Sequence, residues 1–190
     1  MARPRQFDEA QAVEAAMRAF WSTGYEATST QDLCEATGLG RSSIYNTFTS
    51  KHDLFRKALV HYMDERTASI IEVLDGQAPV REKVRDLLWR SVGLAPDDPH
   101  GCLVVNTMVE LAPRDPEIAE LLGRDLDRRR TALRDAFETA RLAGEIAADQ
   151  DPNALAAFVI GVISGMRVAE RGGADRVTLE SIATTALRAI

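Results

Sequence analysis

The sequence is poor in the features that most directly place a protein. It has two cysteines in 190 residues, Cys34 and Cys102, far apart and without CxxC spacing. That excludes a disulfide framework or a zinc knuckle, and both are expected as reduced thiols. No Val/Ile/Thr-rich alternating run occurs, so a sheet is not expected. The N-terminal MARPRQFDEA has no apolar h-region, and the apolar stretch around GVISG is interrupted by Arg167. Neither a signal peptide nor a membrane span is expected, which gives a soluble, cytoplasmic chain. Positive charge is not in excess either, since 23 Lys and Arg face 29 Asp and Glu. Residues 1–57 hold seven of each sign, so the whole net charge of -6 falls beyond them, and a globally basic DNA-binding stripe is absent. Catalytic framing is missing as well. His52, His61 and His100 lie in no HExxH, and neither a P-loop nor GxGxxG occurs. An enzyme is not expected, nor a cofactor or metal; Asp97-Asp98-Pro99-His100 reads as a solvated turn.

Helix formers and helix punctuation are abundant. Val13, Ala16, Met17 and Phe20 fall at i, i+3, i+4, i+7 and predict a helix over 8–21. Ser29 and Asp32 fit the S-x-x-[DE] capping pattern for a short helix ending before Gly38, whose Leu33, Ala36 and Thr37 form an inner face. Arg41 to Phe48 follows, with Ile44 and Phe48 inward. Ser50 opens a long helix striped by Leu54, Phe55, Ala58, Leu59, Tyr62 and Met63 and broken at Asp75-Gly76. Further helices are expected over 80–94, 101–111, from Pro116 to Gly144, 152–171 and 175–189. The expected class is all-α, with about nine helices, in two units at 1–50 and 51–190 that the long helix joins rigidly.

Two short helices joined by Gly38-Leu39-Gly40, the second polar on its outer face, form a helix-turn-helix pattern. In that arrangement the second helix enters the major groove. Small Ser42, Ser43 and Thr47 permit close approach, Arg41 and Asn46 suit guanine or adenine edges, and Tyr45 suits a phosphate. A short polar helix after a glycine turn also occurs in ordinary helical bundles, so the spacing alone leaves a non-DNA-binding interaction protein open.

The run FWSTGYEATSTQDLCEATGLGRSSIYNTFTSKHDLF resembles the DNA-binding domain of the TetR family of transcriptional regulators. The likeness is carried by Gly24-Tyr25 with Thr28, Asp32-Leu33 with Ala36, Gly38-Leu39, Ile44-Tyr45 with Phe48, and Ser50-Lys51 with Leu54. It covers about the first 57 residues. The resemblance implies a homodimer that binds double-stranded operator DNA and responds to a small-molecule effector, most often as a repressor released from an inverted repeat. It assigns the DNA-facing side to Arg41, Ser42, Ser43, Tyr45, Asn46 and Thr47, with Thr28 or Ser29 and Lys51 at helix starts touching phosphate. Gly40 and His52 depart from the family, which often has a serine cap and a glutamate there; capping is then expected to shift to Ser42. Arg3 and Arg5 resemble a basic arm or a solvated terminus.

The remainder resembles the family's effector-binding and dimerisation bundle in architecture. Tyr62, Trp89, Cys102, Asn106, Met108, Phe137, Phe158 and Met166 are candidate pocket residues, each with a plainer reading as core. Cys102, beside His100 and a helix start, is a candidate electrophile or redox sensor or a small buried thiol. Small and apolar residues on the last two helices, Ala157, Gly161, Ser164, Gly165, Leu179, Ile182 and Ala183, match the four-helix dimer interface that the resemblance implies.

Overall fold

The computed structural model describes residues 8–93 and 98–190. Arg3, Arg5 and Asp97 lie outside the described residues. Among those described the chain is all helical: α1 (Glu9–Thr23), α2 (Thr30–Thr37), α3 (Arg41–Thr47), α4 (Lys51–Asp75), α5 (Val80–Val92), α6 (Leu103–Glu110), α7 (Pro116–Leu142), α8 (Pro152–Arg171) and α9 (Arg176–Leu187).

Local chemistry sets most of these ends. Asp8, Ser29, Ser50, Asp115, Asp151 and Asp175 each accept a backbone N–H from the first turn they precede. Pro116 and Pro152 occupy first-turn positions, where a missing N–H leaves no bond unmade. α2 has a complete capping box, with Ser29 and Asp32 each serving the other's backbone N–H. α3 differs from expectation. Its N-cap is Gly40, no side chain caps it, and Ser42 lies inside the helix rather than ahead of it.

The apolar residues fall into two clusters. The first joins Phe20 and Trp21 of α1, Leu33, Ile44 and Phe48 to Leu54, Phe55, Leu59 and Tyr62 of α4. It continues into Leu103, Val104, Leu111, Ile118 and Leu122, so α6 and the start of α7 share the core of the N-terminal helices. Ala36 is exposed and Thr37 half-buried, which leaves Leu33 as the one buried residue of α2. The second cluster holds α5, the later turns of α7, and the inner faces of α8 and α9.

α4 runs along both clusters and packs on α1, α5, α6 and α7, a continuous connection between the clusters. α8 corrects one sequence expectation. It is long and apolar enough, by length and composition, to cross a membrane, since one charge, Arg167, within the span does not offset its apolar residues. Much of its apolar surface is open: Phe158 is 39% exposed and Val168 57%.

Candidate nucleic-acid interface and effector cavity

The outer surface of α3 is fixed from beneath. Ile44 and Phe48, one turn apart, are 1% and 0% exposed, and they seat the helix in the first apolar cluster. α2 ends on Gly38 in the left-handed conformation (φ 67°), which turns the chain sharply into α3. Arg41, Ser42, Tyr45 and Asn46 are left facing outward, with Ser43 and Thr47 half-buried beside them. The Arg41 guanidinium lies 5.9 Å from the Tyr45 ring centre. The Tyr45 hydroxyl is 3.0 Å from Thr30 Oγ1 on α2, so the ring is tethered rather than free.

Lys51 sits 4.5 Å over the Tyr25 ring and donates to the Glu26 carbonyl at 3.4 Å. Ser29 is exposed at the α2 start. Thr28 is not available as expected. It is 1% exposed, and its hydroxyl donates to the Gly24 carbonyl at 2.6 Å. The carboxyl of Asp32 is held below the usual carboxylate range, first by the Ser29 backbone N–H and then by the Ser29 hydroxyl.

Between this unit and the rest lies a polar seam. Glu110, at the end of α6, accepts the backbone N–H groups of Tyr25 at 3.0 Å and Glu26 at 2.8 Å. Gly24 allows this approach: its φ is 91°, and a Cβ there would stand 3.0 Å from the Glu110 carboxylate. His52 pairs with Asp115 at 2.7 Å, and Arg56 with Glu117 at 3.5 Å. Glu14, His61 and Glu65, which sequence reasoning did not single out, bring three ligand-type side chains within 4.8 Å of one another. Their closest approach, His61 Nε2 to Glu14 Oε2 at 3.0 Å, ties α4 to α1.

Behind the seam is a cavity of about 130 Å³ walled by α4, α5, α6, α7 and α8. Of the candidate pocket residues, Tyr62, Cys102 and Met108 line it. The Tyr62 hydroxyl donates to Cys102 Sγ at 3.5 Å, and burial, followed by the nearby Cys102, raises the Tyr62 pKa well above its ordinary value. His100 pairs with Glu170 at 3.5 Å and is largely exposed, so it does not serve as the cation expected beside Cys102. Phe137 and Met166 are fully buried in the second cluster, while Trp89 and Phe158 are on the surface. Asn106 lies off the cavity wall, with its buried Nδ2 lacking a hydrogen-bond partner.

Sequence reasoning missed the polar wall of the cavity: Arg66, Thr67, Arg90, Asp125, Arg129 and Arg167. Ser164, expected at a dimer interface, lines it too. Leu179 and Ala183 are 3% and 0% exposed and face into the monomer. Ala157, Gly161 and Gly165 are exposed, and they continue with Phe158 and Val168 as an outward stripe on α8. An open groove beside it is lined by Phe158, Val162, Thr178, Ile182 and Thr185.

Residues 12–58 match the family described as "Bacterial regulatory proteins, tetR family", and residues 82–186 match "Tetracyclin repressor-like, C-terminal domain". The chain is 34% identical over 189 residues to the HTH-type transcriptional repressor ComR of Escherichia coli (strain K12), covering 98% of this chain and 90% of that protein. It is 34% identical over 162 residues to an uncharacterized HTH-type transcriptional regulator, YezE of Bacillus subtilis (strain 168), with 84% of each chain covered. Among solved structures it resembles a cysteine mutant of the TetR family transcriptional regulator CifR complexed with 26 bp double-strand operator DNA. That likeness has a TM-score of 0.88 and 34% identity, and it covers 99% of both chains.

Proposed function

The chain belongs to the TetR family of bacterial regulatory proteins, and from that premise we propose that it is a transcriptional repressor, a homodimer that binds an inverted-repeat operator and releases it when a small molecule fills the cavity. The observation that carries the DNA-binding half is the outward face of α3, held by Ile44 and Phe48 and offering Arg41, Ser42, Tyr45 and Asn46. Arginine and asparagine read guanine and adenine edges in the major groove, and small neighbours let the helix sit deep. Ser29 and Lys51 flank that face as phosphate contacts. The operator DNA bound by the CifR mutant supports the same use of this surface.

The dimer forms through the open stripe of α8 and the groove it shares with α9. Phe158, Val168 and Val177 are 39%, 57% and 69% exposed, an apolar area suited to a second copy of the same face. Dimerisation sets two α3 helices about 34 Å apart, one DNA turn. Effector control runs through α6 and α4. α6 carries Val104, Val105 and Met108 on the cavity wall, and Glu110, less than one turn later, holds the Tyr25 and Glu26 backbone. Filling the cavity displaces α6 and α4 together, changes the spacing of the two α3 helices, and lowers operator affinity by differential binding to the two states.

A second reading is favoured by Cys102, whose thiol lines the cavity and accepts the Tyr62 hydroxyl. It makes the effector an oxidant or electrophile. Footprinting of the reduced protein on the DNA flanking its own gene, at fixed salt, tests the main reading. A protected inverted repeat is expected, and an unprotected flank together with no protected site in a genomic-fragment selection would overturn it. Release by peroxide that disappears in Cys102→Ser would favour the second reading over the first.

A further inference from the structure

The cavity wall holds four arginines, Arg66, Arg90, Arg129 and Arg167, and a single carboxylate, Asp125. Three of the arginines have protein acceptors. Arg66 donates to Asp98 at 3.3 Å, Arg90 to Ser69 Oγ at 2.6 Å, and Arg167 to Glu170 at 3.3 Å. Arg129 is different. Its Nη2 lies 2.8 Å from Asp125 Oδ2, an ion pair by distance, yet neither Nη2 nor Nε makes a hydrogen bond, and both atoms are buried. Asp125 is itself 4% exposed and accepts the Thr67 hydroxyl at 2.6 Å.

Nε and Nη2 are the side-on fork of a guanidinium, two parallel N–H groups spaced to meet the two oxygens of a carboxylate. The protein displays the satisfied form of that fork on its surface, where Arg141 Nε and Nη2 donate to Glu138 Oε2 and Oε1 at 3.0 and 2.7 Å. The Arg129 charge is paired with Asp125, but two buried N–H groups that make no hydrogen bond are unfavourable in the empty protein and favour a ligand that completes them. With Arg66, Arg167 and Arg129 paired to Asp98, Glu170 and Asp125, Arg90 is the cation left in excess at the wall, which favours an acid over its neutral analogue.

We propose that the effector is a small monocarboxylate whose oxygens take the Arg129 fork and whose tail lies against Ile70, Val105, Met108 and Ile160. This assignment rests on the cavity being the effector site. Size follows from the volume of about 130 Å³: a cavity of ~150 Å³ accepts benzene, so the tail is about three to six carbons long. Capture of the fork draws Arg129 from Asp125. It thereby alters the Thr67 to Asp125 bond that joins α4 to α7, a route from the acid to the helix that carries the N-terminal unit.

The test is calorimetric titration of the full chain with butyrate, valerate and hexanoate, each against its amide, followed by the same compounds in an operator-release assay. The acids are expected to bind at least about tenfold more tightly than the amides, the difference one charge-assisted hydrogen bond supplies. Arg129→Gln is expected to erase that preference, and Arg129→Lys, which keeps the charge but loses the fork, to reduce it; thermal melts of both variants establish that they fold. Equal binding of acid and amide, no binding of any acid, or an undiminished preference in folded Arg129→Gln would overturn the proposal. Fork-dependent binding without operator release would overturn the effector reading and leave the carboxylate site standing. Release by neutral compounds alone would do the reverse.

Discussion

Around Phe20, Phe48 and Phe55 the chain is closed: these rings are 0% exposed, and Phe20 and Phe55 meet edge to face at 5.0 Å. Between α4, α7 and α8 it is open, with a cavity of about 130 Å³ and buried guanidinium nitrogens that make no hydrogen bond. Both regions belong to one fold and share α4, yet they are packed for opposite ends. A surface that reads DNA must hold its side chains in one arrangement, which dense packing does. A surface that senses must have an arrangement that a ligand can change, and unfilled volume with unmet polar groups supplies it. The contacts of Glu110, His52–Asp115 and Arg56–Glu117 join the two regions, and in the proposed mechanism they hand the change from one to the other.

The comparison can be broken most violently at the closed end. Phe55→Ala is expected to cost about 3–5 kcal/mol of stability and to abolish DNA binding by unfolding the N-terminal unit, read by denaturant titration. A loss below about 1 kcal/mol would mean that this core is not tightly packed. At the open end, Phe158→Glu is expected to leave the fold intact, split the dimer in sedimentation, and weaken operator binding by roughly 10²–10⁴ through lost avidity. A variant that remains dimeric would remove α8 from the interface.

The seam gives smaller effects. Glu110→Ala is expected to uncouple effector binding from operator release, a loss of about 1–3 kcal/mol of coupling, seen as binding without release. Retained release would place the connection elsewhere. Ser29→Ala removes a cap and is expected to destabilise the N-terminal unit by about 1 kcal/mol, measured by amide exchange in α2. Acid acts on the same box. Because the folded Asp32 carboxyl titrates below its unfolded value of about 3.9, its stabilisation is full above that value and is lost as pH falls through the lower folded one. Protection of α2 amides is therefore expected to be flat from pH 7 to 5 and to fall below about pH 4; in Asp32→Asn the acid-dependent part of that fall is reduced.

The helices were legible because each is announced locally, by a capping Ser or Asp, a first-turn proline, or a glycine break within reach of an apolar repeat. The outward face of α3 was legible for a similar reason, since Ile44 and Phe48 at i, i+4 fix which side turns in. What escaped depends on which of several available partners a side chain takes in the packed protein. Thr28 reads as a phosphate contact at a helix start, but its hydroxyl goes back to the Gly24 carbonyl. Leu179 and Ala183 looked like interface, but a stripe of small and apolar residues serves an internal helix contact as well as an external one, and α5 takes that side of α9. Arg129 looked like one charge among many on α7. Its pairing with Asp125 follows from i, i+4 spacing, but the Thr67 hydroxyl on Asp125 and the burial of the guanidinium N–H groups without hydrogen bonds come from the surrounding helices.

Fluorescence anisotropy of wild type, Arg41→Ala and Asn46→Ala on the footprinted operator at one salt concentration tests most directly whether the exposed face of α3 reads DNA. Each substitution is expected to weaken operator binding by about 1–3 kcal/mol, roughly five- to 150-fold, with unchanged melting temperature and unchanged dimer. Wild-type affinity in both folded variants would contradict the account and move the DNA contact off α3.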